Sequence, residues 1–166
     1  MPDINLNKIS RYLIYFFSAF LLAFLSSDHF FFWDSVSQVS VPANFYFNNN
    51  FTKLLLPDDI ATGHPTFVGM YIALAWIVFG KTLMVSHLAM LPFIFGIFYQ
   101  IDRIVFKTGL KSSDNYLILF LTFCDATLLS QMSMVTFDLL HLFFFLWCLN
   151  SIIDDKLKPL AIAFSL

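Results

Sequence analysis

Charge is what this sequence has least of. Asp, Glu, Lys and Arg together make 12% of its 166 residues, against about 25% in an ordinary soluble domain. Hydrophobic residues make 59% and there are 23 phenylalanines, more apolar surface than a water-soluble fold of this size can hide. Cysteine is scarce too. Cys124 and Cys148 both sit inside apolar runs, with no spacing that suggests a disulfide or a metal site. There is no basic patch, and the net charge is −2, so no nucleic-acid partner is expected. Internal repeats are absent, and no segment is of low complexity beyond its phenylalanine richness.

What remains is apolar runs separated by short polar breaks. The chain reads as an all-α polytopic membrane protein forming one membrane domain over residues 1–166. Lys8 and Arg11 precede an apolar run from Tyr12 to Leu25. Positive charge before an apolar core also describes a signal peptide, but no small-x-small cleavage site follows, so an uncleaved first helix is expected. Residues 66–79 are apolar but too short to span, since a spanning helix needs roughly 20 residues. Residues 84–101 are apolar and long enough, 102–114 read as a charged connector, and 116–129 and 139–153 are apolar again. A further run begins at Pro159, so the chain reads as the N-terminal part of something longer.

Topology follows from the nine Lys and Arg residues. If 66–79 crosses, only Lys8, Arg11 and Lys81 are cytoplasmic. If it lies at the outer interface or dips in and returns, seven are cytoplasmic, and only Lys53 and Lys81 lie outside. The positive-inside bias favours the second arrangement. It predicts four spans, 9–27, 82–106, 115–133 and 138–153, with a fifth begun. Residues 28–82 form a large first external loop with short interfacial helices. Asp34 and Asp138 then reach the same outer face.

Asp34 follows the aromatic run Phe30-Phe31-Phe32-Trp33, where an apolar helix meets water. A carboxylate there is costly unless used or paired, and it suits a general base or a metal ligand; as a plain alternative it caps a short helix through Val36, Val39 and Phe45. Pro42 argues against one long regular helix there. Asp138 opens the fourth span, where capping and the helix dipole favour an acid, and where a carboxylate is also held rigidly. Asp125 lies about two turns below the outer end of the third span, bonding to a neighbour or lining a substrate cavity. His64, in Gly63-His64-Pro65, can bind metal or phosphate or move a proton. His87 and His141 are expected to pack or bond between helices. Asn50-Phe51-Thr52 fits the N-glycosylation pattern, a short match common by chance.

The order Trp33-Asp34, a loop of some thirty residues, Gly63-His64-Pro65, and Ala75-Trp76-Ile77-Val78-Phe79-Gly80 before a spanning helix resembles the N-terminal part of the GT-C integral-membrane glycosyltransferases. Within that class it is most similar to the protein O-mannosyltransferase and lipid A aminoarabinose transferase group. Asp138 matches that family's Asp in the second external loop, and Gln131-Met132-Ser133 resembles the polar stretch before it. Two departures stand out: Ser35 where the family often has Glu, and Thr66 where it has a second Pro.

The resemblance implies transfer of a sugar from a polyprenyl-phosphate donor to an acceptor hydroxyl of a lipid, glycan or protein. Asp34 would be the base and Asp138 would orient the acceptor, or share a divalent cation (Mg or Mn) with Asp34 and His64. Lys53, Lys81, His64 and Asp125 would bind substrate. The expected place is the bacterial inner membrane, N-terminus cytoplasmic, site facing the periplasm or exterior. The rival expectation is a non-catalytic membrane protein, a transporter or an assembly subunit, in which Asp125, His87 and His141 matter most.

Overall fold

The computed structural model describes residues 6–155. Lys156, Lys158 and the expected start of a fifth helix at 159–166 lie outside them. The described chain is helical, with no strand. Its elements are α1 (Leu6–Leu25), a π-turn (Val36–Ser40), α2 (Val41–Asn48), α3 (Phe67–Phe79), α4 (Leu83–Ala89), α5 (Leu91–Phe106), α6 (Ser112–Phe123), α7 (Ala126–Met132) and α8 (Phe137–Ile153).

Two stretches are long and apolar enough to cross a membrane, Lys8–Leu25 and the α4–α5 rod Leu83–Phe106; the α7–α8 pair would be a third if counted as one span despite its 115° bend. These match the expected spans 9–27 and 82–106. The expected span 115–133 is not one helix. It breaks at Cys124–Asp125, where Asp125 takes an extended backbone and accepts the Leu128 N–H at 2.8 Å, starting α7 afresh. The expected connector 102–114 is also shorter than read. Asp102 and Arg103 belong to α5, and Asp102 is buried.

α5 is the hub. α1 runs antiparallel to it: Arg11 meets Asp102, Tyr15 packs on Phe98 and Phe16 on Phe95. α8 runs parallel to it: Phe143 packs on Phe93, Asn150 Nδ2 donates to Gln100 Oε1 at 2.8 Å, and Asp154 pairs with Arg103 and Lys107. Gly96 makes the close α5–α8 approach possible, since a Cβ there would stand 2.4 Å from the Phe143 ring. The C-terminus of α1 and the N-termini of α4 and α8 therefore share one end of the bundle. The Arg11, Asp102, Arg103, Lys107 and Asp154 charges gather at the other.

α3 has 13 residues, about 20 Å at 1.5 Å per residue, well short of a hydrocarbon core of about 30 Å. It turns back at Gly80, whose φ of 92° suits glycine, and packs against α4. Tyr71 donates its hydroxyl proton to the Ala89 carbonyl at 2.7 Å, and Trp76 its indole N–H to Ser86 Oγ at 2.8 Å.

No single regular helix runs through Pro42, in keeping with the sequence reading. The backbone widens into a π-turn, in which the Val41 N–H reaches back to the Val36 carbonyl. Pro42 then falls in the first turn of α2, where a missing N–H costs little. This geometry lets α2 cross α3 closely. A Cβ on Gly69 would lie 2.6 Å from Pro42 Cβ and 3.1 Å from the Ala43 nitrogen. Gly69→Ala gains about 1 kcal/mol of helix propensity, but a proline ring and a backbone atom cannot swing aside. Overpacking of this kind costs about 1–3 kcal/mol. The expected result is a lower melting temperature for Gly69→Ala in detergent; a higher one would show that propensity wins and that the crossing is loose.

Candidate functional site

Trp33 takes φ of 47°, a left-handed conformation that bulky residues rarely adopt, and the helix leading into α2 starts at Asp34. The plain alternative of a helix cap is not seen at Asp34, and Ser35 Oγ braces the turn instead: it accepts the Phe32 N–H at 2.7 Å and donates to the Phe32 carbonyl at 2.7 Å. The Asp34 carboxylate is exposed and has no side-chain partner among the described residues, and its backbone carbonyl accepts from Ser37 Oγ at 3.3 Å.

Asp138 lies in the first turn of α8. Thr136 caps that helix by accepting the Leu139 N–H at 3.3 Å, and the Asp138 carboxylate is exposed with no side-chain partner among the described residues. Asp125, Thr127, Leu128, Gln131, Asp138, Leu139 and Leu142 line one cavity of about 320 Å³ between α7 and α8. Asp125 and Asp138 are thus brought together. Asp34 is not among the residues lining that cavity.

His64 is exposed in the loop before α3 and Lys53 is exposed in the preceding loop, neither with a side-chain partner. Lys81 is engaged. Its ammonium donates to Asn44 Oδ1 and stands 5.4 Å from the centre of the Phe47 ring and 5.3 Å from that of Trp76, tying α2 to the α3–α4 turn. Among the described residues no three His, Cys, Asp or Glu side chains are gathered as a metal would need. A second cavity, an apolar groove of about 590 Å³, runs between α3 and the α4–α5 rod along Tyr71, Leu74, Val78, Val85, Leu88 and Pro92.

His87 does bond between segments, its Nε2 lying 3.0 Å from the His29 carbonyl oxygen. His141 does not; it is exposed and its ring stands 3.9 Å from that of Phe137, one turn back on the same helix. Both cysteines are free thiols.

Two features were not singled out from the sequence. One is Gln131, whose Oε1 is buried without a hydrogen-bond partner. A polar side chain one helical turn from Leu128 on the α7 face that meets α8 was the available signal. The other is the Arg11–Tyr15–Asp102 cluster, signalled only by Arg11 and Tyr15 lying four apart on one face of α1. Comparison with protein-family models, with curated proteins and with solved structures finds no match for this chain.

Proposed function

We propose that this chain carries the acceptor side of a membrane glycosyltransferase that uses a polyprenyl-phosphate sugar at the outer face of the membrane. What supports the reading is that the end of α1 that leads to Asp34 and the N-terminus of α8 that carries Asp138 lie opposite the end where the basic residues of α1 and α5 gather, and that among the described residues neither carboxylate has a side-chain partner. Asp34 takes the proton from the acceptor hydroxyl as that oxygen attacks the anomeric carbon. The bond from the anomeric carbon to the phosphate oxygen breaks, and the polyprenyl phosphate leaves with the electron pair. Asp138 and Asp125 hold the acceptor. The donor's prenyl chain finds apolar surface in the α3–α4 groove, and His64 and Lys53 stand free to meet the phosphate.

A second reading, a non-catalytic membrane protein, draws on the ion pair of Arg11 and Asp102 within the apolar helices. Intramembrane charges of this kind mark transport paths as well as structural pairs.

Sidedness tests the proposal. In a Cys124→Ser, Cys148→Ser background, an impermeant maleimide should label Ser37→Cys in intact cells and spare Ser112→Cys until the cells are opened. Labelling of both from outside would mean that α3 also crosses. Asp34 and Asp138 would then face opposite sides, and the shared site would be lost.

A further inference from the structure

We propose that the turn Phe30–Trp33 is a lipid anchor: Phe32 and Trp33 lie among the headgroups of the leaflet in which α1 ends, and so fix the depth of Asp34. The inference rests on α1 and the α4–α5 rod crossing a bilayer, and not on sugar transfer.

The turn carries uncovered apolar area. Phe30 is 81% exposed, Phe32 66% and Trp33 72%, and the Phe32 and Trp33 rings stand 6.0 Å apart as one patch. This patch is held outward from both sides. On one side His87 Nε2 lies 3.0 Å from the His29 carbonyl oxygen, and Phe31 turns inward to pack edge-on against Trp76. On the other, Ser35 Oγ bonds both polar backbone groups of Phe32. Between them Trp33 keeps its φ of 47°, a conformation that costs a bulky residue free energy. In water, a strained turn that ends in uncovered rings is unfavourable twice over. Covering the rings offsets the strain.

Depth says what covers them. His87 lies four residues into the rod Leu83–Phe106, about 6 Å from its end at 1.5 Å per residue. The His29 contact therefore holds the turn level with the end of a span, not above it. Along the chain the patch continues the lipid-facing surface of α1, where Leu21, Phe24 and Leu25 are exposed. The same lipid covers both. Polar neighbours set the limit of insertion: Asp28 and Asp34 flank the turn, both exposed, and a carboxylate is costly in hydrocarbon. The rings thus reach the headgroup region and stop there, at the depth where tryptophan is favoured. No Lys or Arg occurs between Arg11 and Lys53, so the attraction is apolar and resists salt.

The test takes the full chain in phosphatidylcholine nanodiscs and reads Trp33 as the fluorescence difference between wild type and Trp33→Phe. Lipid brominated on the chain carbons nearest the headgroup should quench most of that difference, and lipid brominated near the chain ends less. Iodide in the water should quench it less than free tryptophan, and added potassium chloride should leave the bromine quenching unchanged. Three results would overturn the inference. Quenching by iodide but not by bromine would put the ring in water. Protection from both would put a protein surface, a second copy included, over it. Stronger quenching by the deeper bromines would put the ring below the headgroups. The depth of Asp34 is read separately, from a nitroxide on Asp34→Cys in the Cys124→Ser, Cys148→Ser background. The readout is the ratio of its collisions with oxygen to those with a water-soluble nickel complex. Trp33→Tyr, which keeps an amphipathic ring, should leave the ratio unchanged, and Trp33→Ser should lower it. An unchanged ratio in Trp33→Ser would leave the ring no part in placing Asp34. None of these readouts involves sugar transfer, so failure of the transferase reading leaves the anchor standing.

Discussion

Arg11→Leu should strip this protein of much of its stability. Asp102 is 1% exposed. Arg11 Nε stands 2.9 Å from Asp102 Oδ1, without the alignment of a hydrogen bond, and Tyr15 donates its hydroxyl proton to the same oxygen at 2.7 Å. The Arg11 guanidinium also lies 4.0 Å from the centre of the Phe106 ring, so its stem and its charge both serve the α1–α5 contact. Leucine would keep apolar bulk but leave a buried carboxylate with a single neutral donor. Breaking a buried pair on one side costs about 3–5 kcal/mol. For a chain of this length that is a fall of about 10 °C in melting temperature, measured in detergent alongside the yield of folded protein. The double variant Arg11→Leu/Asp102→Leu should recover most of the loss, because replacing both partners removes the stranded charge. A neutral single variant would show that the pair does not hold α1 to α5.

Asp34→Asn should do the opposite: leave the fold untouched and abolish activity. Its carboxylate is exposed and holds no other side chain, so the amide has nothing to disrupt. Asparagine fills the same space but cannot take a proton. Loss of a general base costs about 10²–10⁴-fold in rate, read as transfer of labelled sugar from a polyprenyl-phosphate donor in membranes carrying the intact protein. Asp138→Asn should differ in kind. If Asp138 positions the acceptor, its loss raises the acceptor KM more than it lowers kcat. Near-normal transfer by Asp34→Asn at wild-type expression would remove Asp34 from the chemistry.

The contrast between these two acids marks the boundary between sequence and fold. Asp34 stands out in the sequence because its signal is local: an acid directly after an aromatic run that follows an apolar helix. The apolar character of α1 and of the α4–α5 rod, and the shortness of α3, were legible for the same reason, since length and composition are properties of a single segment. Charge bias along the chain suggested one face for Asp34 and Asp138 before any packing was known.

Packing decided the rest. Tyr15 and Asp102 are 87 residues apart in sequence, and nothing near Asp102 separates a buried partner from a solvated connector. Lys81 read as a free outer cation, but whether Asn44, Phe47 and Trp76 take it depends on how α2 crosses α3, and that crossing turns on one glycine meeting one proline. Pro42 read as an obstacle to one long regular helix, but that the chain continues by widening into a π-turn was not legible. The third span read as continuous because its composition is apolar on both sides of Asp125. The chain breaks there, where the Asp125 carboxylate accepts a backbone N–H of the next helix. That break turns α7 against α8 and places Asp125, Gln131 and Asp138 around one cavity. Hydrophobicity along the chain determined which segments are apolar helices. Only the tertiary structure decided which polar side chains meet, because burial joins residues by position in space.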